Sequence, residues 1–166
     1  MKANLANLIT LGNISFGGAA IMATINESYG NAVLFILIAA LLDRYDGKVA
    51  RKYNLESELG KQLDSMSDII SFGVAPAILM YEVALVGYGN LGMLIAVLYI
   101  ACGAFRLARF NVTESNGYFT GLPITAAGAI LTVSFFFSAW LSTAFYLILF
   151  PVLAIAMISN FSLKKV

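Results

Sequence analysis

The sequence predicts an all-α integral membrane protein, a six-transmembrane-helix bundle with both termini cytoplasmic. Three observations predict it. Of 166 residues, 60% are hydrophobic and only 11% charged, with a mean hydropathy of +0.86, whereas a soluble domain carries about 25% charged residues. Six apolar stretches approach the roughly 20 residues that a spanning helix needs. All ten lysines and arginines then fall on one side of the resulting layout, as the positive-inside rule requires.

The stretches run in order through Asn7–Thr24, Gly30–Ala50, Leu59–Leu85, Leu91–Phe110, Phe119–Trp140 and Ala144–Phe161. The first, within "MKANLANLITLGNISFGG", has a basic start but no small-residue cleavage site, so it reads as a retained span rather than a signal peptide. Short connectors such as "NESYG" and "VGYGN" make successive helices antiparallel neighbours. The basic residues are Lys2, then Arg44, Lys48, Arg51, Lys52 and Lys61, then Arg106 and Arg109, then Lys164 and Lys165. The opposite connectors, around Glu27, Glu82–Asn90 and Leu141–Ala144, contain none. No linker, low-complexity tract or internal repeat divides the chain, so 1–166 is expected to be one membrane domain in a multi-pass protein of the cell membrane.

Composition also narrows the chemistry. A formal net charge of +1 points to no partner by bulk charge, and no nucleic acid is expected. Cys102 is the only cysteine, which excludes an internal disulfide and a cysteine-rich metal site. With no histidine, proton transfer falls to carboxylates, lysine, tyrosine or water.

The acids concentrate where spans two and three meet the cytoplasmic side. At about 100° per residue, Asp43, Asp46, Gly47 and Ala50 share one helix face, with Arg51 at its margin. On the next helix Gly60, Asp64 and Asp68 form a stripe that Ser71 extends. Two such stripes on antiparallel neighbours face each other, and carboxylates so placed repel unless a cation lies between them. Hard oxygen ligands suit Mg²⁺, Mn²⁺ or Ca²⁺. Glycine, which costs about 1 kcal/mol inside a helix, makes sense on that face if a bulky ligand approaches the backbone. An arginine beside the acids suits a phosphate that bridges the metal. The bland reading, in which these acids cap helices or pair with Arg44, Lys48, Arg51 and Lys61, requires neither the shared face nor the small residues.

The pattern Asp43-x-x-Asp46-Gly47-x-x-Ala50-Arg51, then eight residues, then Gly60-x-x-x-Asp64-x-x-x-Asp68 resembles the full signature of the CDP-alcohol phosphotransferases. The length and span layout resemble that family's helical core as well. The resemblance implies transfer of a substituted phosphate from a CDP-linked donor to an alcohol, with release of CMP. It further implies two divalent ions, Mg²⁺ or Mn²⁺, on Asp43, Asp46, Asp64 and Asp68, with Asp68 also the catalytic base. Gly47, Ala50, Arg51 and Gly60 would line the nucleotide site. A homodimer is implied too.

Two more stretches bear on the acceptor. "ACGAFRLARFNV", with Arg106 and Arg109 on one face, and "FTGLPITAAG" resemble segments of the branch that uses CDP-diacylglycerol and L-serine. "NLITLGN" resembles the start of that branch, with Asn7 and Thr10 as nucleotide contacts, although Ala6 stands where a proline often precedes the asparagine. An arginine near the metals can hold the carboxylate of serine. The same charge serves glycerol 3-phosphate or inositol phosphate, so acceptors of that kind, or inositol, are the alternative within the family. As topology signals alone, both arginines need no acceptor.

Other features carry the bland reading. "VSFFFSAW" forms a lipid-facing surface and interface belt, Cys102 is a small packing residue, and Gly117-x-x-x-Gly121 lies at a span boundary. A cation transporter is the alternative from a different class, because intramembrane acids often mark ion pathways. It predicts acids deep in several spans and on both sides. Here they gather toward the cytoplasmic side, beside glycines and an arginine, which favours an enzyme.

Overall fold

The computed structural model describes residues 2–53, 57–112, 118–159 and 162–164, with the side chains of these apart from 2–6, 46, 49–53, 118–120 and 162–164. It divides into two compact units, one up to Ala75 and one from Pro76.

The first unit holds α1 (Lys2–Ile25), α2 (Tyr29–Tyr53), α3 (Glu58–Asp68) and a π-helical segment, Ile69–Val74. Helix α1 stops at a Schellman turn. Ser28 N–H bonds to the Ala23 carbonyl at 2.8 Å and Glu27 N–H to that of Thr24 at 2.9 Å, with Glu27 at φ 57°. Ser28 then opens α2, its carbonyl accepting from Ala32 N–H at 3.0 Å and its Oγ from Asn31 Nδ2 at 2.9 Å. The two helices meet through small residues: Ala20, Ala32 and Ala39 are fully buried, with Ala23 close to it. In a membrane, where lipid is as apolar as leucine, such residues let backbones approach closely. Ser57 caps α3 by accepting from Gly60 N–H at 3.0 Å. A Cβ on Gly17 would collide with Ser71 Oγ, so glycine lets α1 lie directly against the π-helical segment.

The second unit contains α4 (Ala75–Met80), a π-helical segment (Tyr81–Leu85), a 3₁₀ turn (Val86–Tyr88) and α5 (Asn90–Val112). It continues with β1 (Tyr118–Thr120), α6 (Ile124–Ser134), a 3₁₀ turn (Phe135–Phe137), α7 (Thr143–Ile158) and β2 (Ser162–Lys164). Its core is large and aromatic. Tyr99 and Phe150 stack edge to face at 5.5 Å, and Leu131, Tyr146 and Met157 are buried beside Ile124. Tyr146 donates its hydroxyl to the Ser134 carbonyl at 2.9 Å. Strands β1 and β2 pair antiparallel, with Phe119 opposite Leu163.

The fold class is all-α and membrane-type, as expected, apart from that short strand pair. Among the described residues, three helical runs are long and apolar enough to cross a membrane: Asn7–Ile25, Glu58–Tyr88 and Asn90–Val112. Ile124–Phe137 and Thr143–Ile158 are shorter apolar helices. Helix α2 has the length, at 25 residues, but its C-terminal half carries Asp43, Arg44, Asp46 and Lys48. The fifth stretch begins differently from the sequence expectation. Phe119 lies in β1, and helix starts only at Ile124. Between them Gly121 sits at φ 76°, where its missing Cβ would strike the Met157 carbonyl, and Pro123 precedes the first helical residue. The chain must turn there before it can coil.

Candidate active site

The start of α1, the end of α2 and the start of α3 meet at one end of the first unit. Asp43 from α2 and Asp64 and Asp68 from α3 bring carboxylate oxygens within 4.8 Å of one another. Asp43 and Asp68 also make a side-chain hydrogen bond. Asp64 is exposed, and the other two are half-buried. The spacing of four on α3 keeps Asp64 and Asp68 on one stripe, and the antiparallel return of α2 delivers Asp43 to it.

Helix α1 supplies the third wall. Asn7 stands beside Gly60, where a Cβ would lie 3.3 Å from Asn7 Oδ1 and 3.1 Å from Ser57 Oγ. Two turns further along, Ser67 Oγ donates to the Thr10 carbonyl at 3.5 Å. Asn13 Nδ2 then donates to Asp43 Oδ1 at 3.4 Å, while Ser71 Oγ donates to the Asn13 carbonyl at 3.2 Å. Residues 7, 10 and 13 of α1 therefore track residues 60 and 67 of α3 and residue 71 of the π-helical segment after it, in parallel.

The structure thus brings together Asp43, Asp64, Asp68, Asn7, Thr10 and Gly60 of the residues singled out by sequence. Gly47 lies on α2, half-buried. Asp46, Ala50 and Arg51 occupy the same helix, but their side chains are outside those described. Arg106 and Arg109 lie on α5 in the second unit. Arg106 is buried, its guanidinium 5.5 Å from the centre of the Phe110 ring. Arg109 donates from Nη1 to the Ile158 carbonyl at 3.1 Å and from Nη2 to that of Ser159 at 3.3 Å. It caps the C-terminus of α7, a role that no local sequence signal announces. Asn13 is the other contributor that sequence reasoning passed over. Its signal is the three-residue spacing Asn7, Thr10, Asn13 within an otherwise apolar run.

The acidic cluster fits a hard divalent cation. Two carboxylates about 4 Å apart repel by about 4 kcal/mol at an effective dielectric of 20, and three in mutual reach multiply that cost. Metal–oxygen distances of about 2.0–2.6 Å place opposing ligands about 4–5 Å apart, so the observed spread suits oxygens around one ion. An all-oxygen donor set favours magnesium, calcium or manganese over softer metals.

The chain matches the family model for CDP-alcohol phosphatidyltransferases over residues 3–161. It belongs to the CDP-alcohol phosphatidyltransferase family. It is therefore a multi-pass membrane transferase. Among curated relatives, it is 42% identical over 127 residues to the CDP-diacylglycerol–serine O-phosphatidyltransferase of Bacillus subtilis, covering 76% of this chain and 72% of that one. It is 42% identical over 160 residues to the archaetidylserine synthase of Methanothermobacter thermautotrophicus, covering 93% and 68%. A CDP-diacylglycerol–serine O-phosphatidyltransferase of Methanocaldococcus jannaschii is 41% identical over 131 residues, covering 79% of this chain and 59% of its own length.

Proposed function

We propose that this family member transfers the phosphatidyl group of CDP-diacylglycerol to the hydroxyl of L-serine, giving phosphatidylserine and CMP. The observation that carries the chemistry is the Asp43–Asp64–Asp68 cluster inside a family-matched chain. Serine as acceptor is supported by the relatives, whose names differ in the lipid, phosphatidyl or archaetidyl, yet agree on serine.

Asp43, Asp46 and Asp64, with Asp68, would hold the divalent metal, two ions of Mg²⁺ or Mn²⁺ in this reading. A bound metal supplies positive charge for the donor pyrophosphate and for the charge that develops on departing CMP. Asp68 accepts the proton of the serine hydroxyl as that oxygen forms its bond to the β-phosphorus. The bond from this phosphorus to the CMP oxygen breaks, and CMP leaves with the electron pair. Asn7, Thr10, Gly47, Ala50, Arg51 and Gly60 form the nucleotide site. Gly60 keeps the backbone open beside Asn7, where any larger side chain would press on the asparagine.

Arg106 and Arg109 are the cations proposed for the serine carboxylate. Arg106 is the stronger candidate, because both terminal nitrogens of Arg109 already serve α7. The proposal includes a single catalytic domain over 1–166, six spans, cytoplasmic termini and a cytoplasmic active site in the cell membrane, with the chain working as a homodimer. The distribution of all ten basic residues on one side of the six-span layout supports such a topology.

The test is CMP release by purified protein in lipid with CDP-diacylglycerol and Mg²⁺ or Mn²⁺. Serine, glycerol 3-phosphate, inositol phosphate and inositol are compared as acceptors. Serine is expected to give the highest rate, and EDTA to abolish it. Higher turnover with another acceptor would move the assignment within the family, and full activity in EDTA would sink the metal role.

A further inference from the structure

We infer that Asn13 is a positioning residue of the acidic site. Its amide nitrogen fixes the Asp43 carboxylate in the orientation that a bound cation would need.

Asn13 is fully buried in the middle of α1. Two contacts tie it to the site from opposite directions. Its Nδ2 donates to Asp43 Oδ1 on α2, and its backbone carbonyl accepts from Ser71, three residues beyond Asp68. The amide turns its nitrogen, not its oxygen, toward Asp43 Oδ1. That choice leaves Asn13 Oδ1 buried, with no donor reaching it among the described residues. A buried acceptor without a donor costs stability, and native structures keep few of them. If packing were its only task, leucine of similar size would serve better there. That cost is accounted for if the amide is kept for its hold on Asp43, whose carboxylate would have to present its oxygens to a cation in a fixed orientation.

The inference rests on the divalent-cation reading, and the experiment separates the two. Purified wild type, Asn13→Leu, Asn13→Ser and Asp43→Asn are stripped of metal and titrated with Mn²⁺, following free ion by electron paramagnetic resonance. Melting temperature is recorded without and with Mn²⁺. Loss of a partner that orients a metal ligand typically weakens metal affinity by about 10–100-fold, and that loss is expected for both Asn13 variants. Without metal, Asn13→Leu should melt at or above wild type, because the donorless buried acceptor is gone. The opposed signs exclude a merely structural role, which would lower the metal-free melting temperature and leave affinity alone. If the leucine variant fails to fold, the serine variant carries the test, since its hydroxyl is too short to reach Asp43. Unchanged Mn²⁺ affinity in the folded Asn13 variants, with Asp43→Asn impaired, overturns the inference and leaves the cation reading standing. Wild type that binds no Mn²⁺ overturns both.

Discussion

The two units use charge in opposite ways. In the second, the guanidinium of Arg109 meets the last carbonyls of α7, and that of Arg106 lies against the Phe110 ring. Each cation lies against a group of its own unit that attracts it. In the first unit, Asp43, Asp64 and Asp68 are brought together with one another. Acids are gathered with acids there, a donor set that suits a hard cation. The cores differ in the same sense. The second unit packs Tyr99, Tyr146 and Phe150, whereas the first packs alanines with Asn13, Ser67 and Ser71 buried among them. One region is built to hold its shape, the other to hold something else.

The strongest way to break this comparison is to neutralise an acid. Asp43→Asn or Asp64→Asn should reduce CMP release to background while the protein remains folded. Metal-free melting temperature should hold or rise, because a like-charge pair has been removed. A melting temperature that falls sharply would mean that the cluster stabilises the fold, as the arginines do.

Asp68→Asn divides the cluster by role. If Asp68 removes the serine proton, the variant should still bind Mn²⁺ and donor but lose turnover by about 10²–10⁴-fold. Near-normal turnover in single-turnover kinetics would refute the base assignment.

How legible this was depends on the range of each interaction. Spacings of three and four residues place acids on a helix face, so Asp43, Asp64 and Asp68 could be read directly from the chain. The apolar runs likewise announced α1 and α5. Asn13 was harder, since the spacing Asn7, Thr10, Asn13 marks a polar face of α1 but not which carboxylate it meets. The role of Arg109 depends on where α7 ends, some 50 positions later in the chain, which no local pattern encodes. Strand β1 was hidden because Tyr118–Thr120 continues the apolar run that becomes α6. Only the positive φ of Gly121 and the proline at 123 separate them. The two π-helical segments have no sequence signature that periodicity could detect.

A smaller effect is expected where the comparison predicts structure rather than chemistry. Arg109→Ala removes two charge-assisted contacts to the end of α7 and should cost about 1–2 kcal/mol of stability, since the side chain is only half-buried. Arg109→Lys should recover part of that, because an ammonium can reach one carbonyl but not fork across two. Melting temperatures of the pair, measured beside the KM for serine, decide the matter. A raised KM with unchanged stability would place Arg109 with the acceptor instead.

The smallest effect belongs to the far end of the first unit. Glu27 adopts φ 57° in the turn between α1 and α2, a conformation that costs an L-residue about 1–2 kcal/mol. Glycine removes that strain but loses more chain entropy on folding, about 0.5–1 kcal/mol, so Glu27→Gly should gain well under 2 kcal/mol. On this chain length that is a rise of a few degrees in melting temperature at most. Glu27→Val should lower it, because a β-branched side chain tolerates the left-handed region worst. Neither variant should alter turnover. Asn13 lies half of α1 away from that turn, about 18 Å from the last helical residue, Ile25, at the helical rise of 1.5 Å per residue. A change in CMP release with Glu27→Gly would show that the turn communicates with the acidic end, and that the small-residue seam between α1 and α2 slides rather than holds.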